Sequence, residues 1–352
     1  MTGPHVHQFS RTPPQGQPVR ACCLCAGDDF EIVDTRDRRG EPLVTVMCLD
    51  CGLMSHRRIP TDEELSRYYE FDYRADYHGE KTPCPRRVMR AWRNGNRILR
   101  QLQPMVPESS HVLEVGAGLG CTVRQFQDAG YNAAGIDPGR DFTDYSINRI
   151  GANLTQQSLE DLSCPQKPDV ILLVHVIEHM NHPDHSLRRI HQLLPEDGLL
   201  YVECPNLDAP VARRSRLFHF AHVYSFTPPT LRMLAELCGF ELVRQFGHKR
   251  DPNLQMLFRR SASRGLRIRP RTAQRTLRRI RMSRLRYHLR PAYLLERIRK
   301  LASYGIEHVI ADRFVRRHVL VDQENAEIAE PVTLPFRASH PPVMTSDCRR
   351  AA

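Results

Sequence analysis

The stretch Val112-Leu-Glu-Val-Gly-Ala-Gly-Leu-Gly120 constrains the fold of this chain more than any other, because an apolar strand runs without a spacer into three glycines. A helix is expected from about Thr122. Glycine at positions 116, 118 and 120 lets the backbone turn sharply and pass close to a ligand. The pattern is Gly-x-Gly-x-Gly, not the Gly-x-Gly-x-x-Gly of dinucleotide sites, and an acid, Glu114, sits inside the strand end. Asp137 ends the next apolar stretch about twenty residues on, where a carboxylate accepts hydrogen bonds from ribose hydroxyls. Alternatives for the single features remain: a plain strand-to-helix connection for the glycines, and a helix N-cap for Asp137.

From His111 onward, short apolar stretches alternate with helical segments. His111 to Val115, Ala133 to Asp137, Val170 to Val174 and Leu199 to Glu203 read as strands. Such alternation implies right-handed βαβ units, hence an α/β fold whose parallel sheet is covered on both faces. Phe240 to Phe246 and Leu254 to Phe258 are close enough in sequence to pair antiparallel at one edge.

Composition bounds the rest. A chain of 352 residues, 41% of them hydrophobic, buries a large core without disulfides. Val170 to Val174, the longest apolar run, is far too short to span a bilayer. The N-terminus lacks a charged start followed by an apolar stretch, so a cytoplasmic location is expected, and with it eleven reduced cysteines. Four of them form Cys22-x-x-Cys25 and Cys48-x-x-Cys51, the knuckle spacing that brings four thiolates to one tetrahedral, structural Zn²⁺. The other reading is a reduced cysteine minicore. Phe30 to Val33 and Leu43 to Met47 are expected to form a hairpin between the knuckles. The net charge of +11 is concentrated between Arg259 and Lys300, where sixteen Lys/Arg face a single acid, Glu296, leaving the rest of the chain slightly acidic. That tail reads as helical, interrupted at Pro270 and Pro291. The domain reading is a flexible lead-in over 1–20 with order from about Cys22, a zinc module over 21–60, a helical connector over 61–105, a catalytic domain over 106–260 and a basic helical extension over 261–352.

In order and spacing these motifs resemble the class I S-adenosylmethionine-dependent methyltransferases, from Val112 to Phe258. The resemblance implies a Rossmann-like, doubly wound, mostly parallel sheet with an antiparallel edge hairpin, flanked by the small zinc module and the helical extension. It also implies S-adenosylmethionine as cofactor. Glu114, Gly116, Gly118 and Gly120 would face its methionine part, Asp137 the ribose, and Ser158, Leu159 and Glu160 the adenine. His175 to His179 resembles the loop between cofactor and acceptor. The segment from Cys48 to Leu53, with the aromatics Tyr68, Tyr69, Phe71, Tyr73 and Tyr77 downstream, is similar to the N-terminal zinc-binding domain of sugar methyltransferases, including deoxysugar C-methyltransferases. In those relatives this part covers the acceptor; the same aromatics also suit plain packing on the core.

Methyl transfer from a sulfonium is an in-line displacement, so the protein must align the acceptor, exclude water and accept a proton. Histidine suits the last task. His222 lies where the sugar C-methyltransferases carry a catalytic histidine, though it also suits an aromatic-cluster histidine bonded to backbone; His179 ends the cofactor-side loop and reads first as a residue of that loop supporting the site. Phe220 and Ala221 stand where those enzymes have acids, which leaves O-methylation alongside C-methylation. The expected acceptor is a sugar or nucleotide-sugar. The Arg259 to Lys300 block reads first as an accessory helical subdomain docked on the catalytic body; a solvated helical face and a polyphosphate or nucleic-acid patch are other readings, and peripheral association with an anionic membrane, at its inner face, or with a lipid-linked glycan is a further one. A nucleic-acid methyltransferase is the main alternative, but Val176-Ile-Glu-His179 offers no Asn/Asp-Pro-Pro-aromatic turn to hold a flipped base. A non-enzymatic scaffold is disfavoured by the intact glycines and Asp137.

Overall fold

A computed structural model describes residues 16–67, 82–209, 217–248, 251–263, 265–281, 291–321 and 337–338. The connector aromatics Tyr68, Tyr69, Phe71, Tyr73 and Tyr77 lie outside the described residues.

Seven strands form the main sheet: β1 (His111–Val115), β2 (Asn132–Asp137), β3 (Leu154–Gln156), β4 (Val170–Val174), β5 (Leu199–Pro205), β6 (Phe240–Phe246) and β7 (Asn253–Arg260). Their order is β6-β7-β5-β4-β1-β2-β3. The five strands from β5 to β3 run parallel, while β7 and β6 are antiparallel to β5 and to each other. The expected edge hairpin is therefore present, with β7 rather than β6 against β5. A central strand made wholly of Val, Ile and Leu, as β4 is, is what burial on both faces demands, and its Ile171, Leu172 and Leu173 are fully buried. The helices Pro85–Leu102 and Cys121–Asp128 contribute Val88, Ile98 and Phe126 to the core on one face. Pro183–Leu193 and Pro228–Leu237 contribute Leu187, Ile190, Leu231 and Leu234 to the other. Chain order reverses between β1 and β4, so the crevice beyond their carboxyl ends is where a doubly wound sheet binds its ligand.

The N-terminal part departs from the sequence reading in two respects. Phe30–Arg36 and Pro42–Cys48 form the expected hairpin, but the sheet has four strands, completed by Met54–His56 and by Tyr224–Ser225 from the far side of the catalytic domain. Cys22, Leu24, Cys48, Cys51 and Leu53 accordingly share one apolar cluster with β1, β4 and β5. Order also begins before Cys22: Gln17–Pro18 pairs antiparallel with Arg58–Ile59, and the Gly16 N–H reaches the Glu64 carboxylate at 3.2 Å. Backbone pairing supplies this order without any apolar side chain to announce it.

The C-terminal basic segment packs on the body. Thr272–Ile280 buries Ala273 and Ile280 against Val33, Leu43 and Met54, and Arg269, Arg279 and Arg281 pair with Glu236, Asp208 and Glu31. The long helix Pro291–His318 buries Ala311 and Val315 in the sheet's core, and its Glu307 pairs with Arg90 at 2.5 Å. The same helix leaves Ile298, Ile306 and Val309 exposed, at 64%, 60% and 79%. Among the described residues no helix is long and apolar enough to cross a membrane.

Candidate functional site

A cavity of about 1310 Å³ opens at the β1/β4 reversal. Its floor is the glycine turn. Gly116 adopts φ +71°, and a Cβ there would sit 2.5 Å from Val176 Cγ2, so the backbone approach requires glycine. Gly118 lines the cavity and its N–H donates to Asp137 Oδ2 at 2.8 Å, while the Gly139 N–H donates to Oδ1 at 2.8 Å. Two backbone donors thus fix the Asp137 carboxylate at the cavity wall. Gly120 lies behind the turn, at the start of the helix Cys121–Asp128, where a Cβ would meet Ser146 Oγ. Ser158, Leu159 and Glu160 line the far end, with Ser158 Oγ donating to Asp161 Oδ2 at 2.8 Å.

Glu114 is 4% exposed and lines the same cavity. Its Oε2 has no hydrogen-bond partner among the described residues. Burial raises its carboxyl to about 8, with the nearby Asp137 charge adding and a hydrogen bond from Thr122 opposing. An acid held neutral, with one oxygen lacking a partner inside a cavity, fits a cationic group arriving with a ligand. The glycine cradle, the fixed Asp137 and the orphaned Glu114 oxygen together fit the cofactor that the sequence implies.

At the other end lies an imidazole and carboxylate cluster on the loop after β4. His175 takes φ +56°, a left-handed conformation uncommon outside glycine. Its Nδ1 meets Glu178 Oε1 at 3.2 Å and its Nε2 lies 3.3 Å from Asn253 Nδ2. Burial alone would lower the His175 pKa, but the Glu178 carboxylate raises it. Glu178 is 1% exposed; burial opposes its charge, yet the His175 hydrogen bond and the surrounding imidazoles pull it to about 2. The His179 and His222 rings meet edge to face, centroids 4.9 Å apart. Burial lowers both, His222 to about 3. His179 lines the cavity, and His222 stands behind it, contacting His219 on its other side at 5.5 Å.

The four knuckle cysteines converge. Cys22 and Cys51 Sγ lie 3.6 Å apart, Cys25 and Cys48 Sγ 3.4 Å, and all four fall within 4.8 Å of one another. Four thiolates at about 2.3 Å from a tetrahedral Zn²⁺ need nearly this spacing.

The structure brings Glu114, Gly116, Gly118, Asp137, Ser158, Leu159, Glu160, His175 and His179 to one cavity and sets His222 immediately behind. Sequence reasoning missed Glu178, which stands inside a loop already singled out, and the group beneath it. Arg97 Nη2 donates to Glu203 Oε2 at 2.5 Å, and Asn253 Nδ2 donates to Glu203 Oε1 at 2.8 Å. A Glu in a β-strand and an Arg among many on a helix carry no local signal of pairing.

Residues 86–245 match a family model described as "Methyltransferase domain". The C-methyltransferase NovU of Streptomyces niveus is 25% identical over 253 residues, 64% of this chain, and this chain spans 57% of that relative's length. Among solved structures, the 1,6-didemethyltoxoflavin-N1-methyltransferase of Burkholderia thailandensis, with bound S-adenosylhomocysteine, aligns at 21% identity and a TM-score of 0.46, covering 59% of this chain and 96% of its own. The magnesium protoporphyrin IX methyltransferase of Synechocystis, with bound S-adenosylmethionine, aligns at 14% identity and a TM-score of 0.42, covering 56% of this chain and 95% of its own. Strand order, glycine turn and Asp137 agree with the match of residues 86–245 to a methyltransferase domain.

Proposed function

We propose that the protein transfers the methyl group of S-adenosylmethionine to a sugar or nucleotide-sugar, at a hydroxyl oxygen or an adjacent carbon. The carrying observation is one continuous cavity whose cofactor end, at Glu114 and Asp137, leads to a polar end at His179, Asn181, Asp62 and Asn253. Its volume of about 1310 Å³ exceeds the roughly 300–1,000 Å³ of a single small-molecule site, so a second ligand fits beside the cofactor. When bound, the cofactor supplies an activated methyl on sulfur. Asp137 binds its ribose, Glu114 its methionine ammonium, and Ser158 to Glu160 its adenine. His179 and His222 receive the acceptor's proton. Burial makes them weak bases at rest, and the ionised Glu178 beside them stabilises the imidazolium that forms. The likeness to a named C-methyltransferase supports carbon as an acceptor atom; the apolar Phe220 and Ala221 before His222 favour oxygen.

In this reading Cys22, Cys25, Cys48 and Cys51 hold a structural Zn²⁺, since four protein thiolates leave no open position. The exposed Ile298, Ile306 and Val309, on a helix whose last turn carries Arg316 and Arg317, suit an anionic membrane surface. The test is transfer of labelled methyl from S-adenosylmethionine to nucleotide-sugars, lipid-linked glycans and total RNA, with Asp137→Ala as the blank. Label in a sugar pool that vanishes in the variant supports the proposal. Label confined to RNA refutes it.

A further inference from the structure

We propose that Glu178, His179 and His222 form a second metal site, distinct from the cysteine cluster, that binds a divalent first-row cation at the acceptor end of the cavity. One ligand atom from each of the three lies within 4.8 Å of the others. The Glu178 carboxylate is 1% exposed, and its ion-pair partners among the described residues are imidazoles, not Lys or Arg. Its Oε2 has no hydrogen-bond partner among the described residues. A buried carboxylate oxygen with no donor against it is an open ligand position, and a metal ion supplies the missing contact.

Two imidazoles and one carboxylate are the donor set that Mn²⁺, Fe²⁺, Co²⁺ and Zn²⁺ accept, and three protein ligands leave coordination positions open. His179 lines the cavity, so the open side faces the acceptor. The supporting contacts are in place. His175 Nδ1 holds Glu178 Oε1 at 3.2 Å, and Asn253 meets His175 Nε2 at 3.3 Å while donating to the buried Glu203 at 2.8 Å. His219 Nδ1 accepts the Ala221 N–H at 3.1 Å, bracing the turn that carries His222. Fixing ligand side chains through a second layer of hydrogen bonds is what metal sites require. The ligand class for the open positions is an acceptor oxygen, a hydroxyl or carbonyl. With the cation bound, His179 and His222 are its ligands and no longer the bases, and a coordinated hydroxyl gives up its proton to solvent more readily than a free one. This consequence rests on the proposed methyl transfer, whereas cation binding itself does not.

The probe is Mn²⁺, added to the full chain as purified and followed by the electron paramagnetic resonance signal of the free aqueous ion; Cys₄ sites disfavour this hard cation. The expected result is one Mn²⁺ retained per chain, with affinity weakened by more than about tenfold in both Glu178→Gln and His222→Gln. Binding of S-adenosylhomocysteine by the same samples reports whether the fold and cofactor pocket survive. Mn²⁺ left free up to millimolar concentration in protein that binds S-adenosylhomocysteine overturns the metal site alone. Equal Mn²⁺ retention by the wild type and both variants overturns it too. Failure to bind S-adenosylhomocysteine in the wild type overturns instead the proposed function.

Discussion

Glu114 should make cofactor binding a proton-releasing event. In the free protein its carboxyl, raised to about 8 by burial, is mostly protonated at neutral pH. A cationic ammonium placed against Oε2 favours the ionised form and returns the pKa toward the carboxylate range. At pH 7, one unit below the free-protein value, binding then releases about nine-tenths of a proton. Each pKa unit is worth about 1.4 kcal/mol, so affinity should climb about tenfold per pH unit from about pH 5 to about 8 and level off above. The assay is titration calorimetry with S-adenosylhomocysteine at several pH values, in buffers of differing ionisation heat. Glu114→Gln should abolish both the buffer dependence and the slope, and cost about 1.5–3 kcal/mol at pH 8 through loss of a charged hydrogen bond. Identical heats in all buffers at pH 7, or a slope that persists in the variant, would refute the reasoning.

The same group sets a stability trend of opposite sense. Its folded pKa lies above its unfolded value of 4.5, so the folded state holds the proton more tightly and ionisation opposes folding. Stability of the cofactor-free protein, read as a denaturant midpoint, should carry a downward contribution from Glu114 as pH rises from about 4.5 to about 8. That contribution disappears in Glu114→Gln.

Gly116→Ala places a methyl 2.5 Å from Val176 at φ +71°, and should cost about 1–2 kcal/mol in backbone strain alone, with cofactor affinity falling more than about tenfold by calorimetry. Cys48→Ser should remove zinc, measured by metal analysis. Because Cys22, Leu24 and Leu53 share the apolar cluster of the main sheet, it should also lower one cooperative thermal transition, with no separate module melting first. Paired substitution of Ile306 and Val309 by Glu, at 60% and 79% exposure, should abolish co-sedimentation with anionic vesicles and leave the melting temperature unchanged. Undiminished sedimentation of this variant refutes the membrane face.

The catalytic core is legible in the sequence because its determinants are local. A strand that runs into Gly116, Gly118 and Gly120 dictates its own turn, and the carboxylate of Asp137 is fixed by amides at 118 and 139. The knuckle cysteines are legible for the same reason, since two residues of spacing decide which thiols share a turn. The pairing of Met54–His56 with Tyr224–Ser225 is not legible. Two short strands separated by nearly half the chain are joined by shape and backbone hydrogen bonds, and neither carries an apolar alternation long enough to mark it. The expected lead-in over 1–20 failed at its last residues on similar grounds, because Gln17 and Pro18 are ordered by main-chain contacts to 58 and 59.

The polar network below the acceptor end shows why catalytic machinery is harder to read than a binding turn. Arg97, Glu203, Asn253, His175 and Glu178 come from a helix, two strands and a loop, and each is individually an unremarkable polar residue. Their meaning lies in burial. Glu203 is fully buried and satisfied by Arg97, Tyr201 and Asn253, whereas Glu178, buried equally deeply, is met among the described residues by imidazoles and keeps one oxygen without a hydrogen-bond partner. Two buried acids with the same chemistry thus differ in how fully the described residues satisfy them. The satisfied one anchors β5 to the helix Pro85–Leu102. The other lies beside His179, which lines the cavity, and a sequence cannot mark that difference because it depends on which partners the fold brings to each acid.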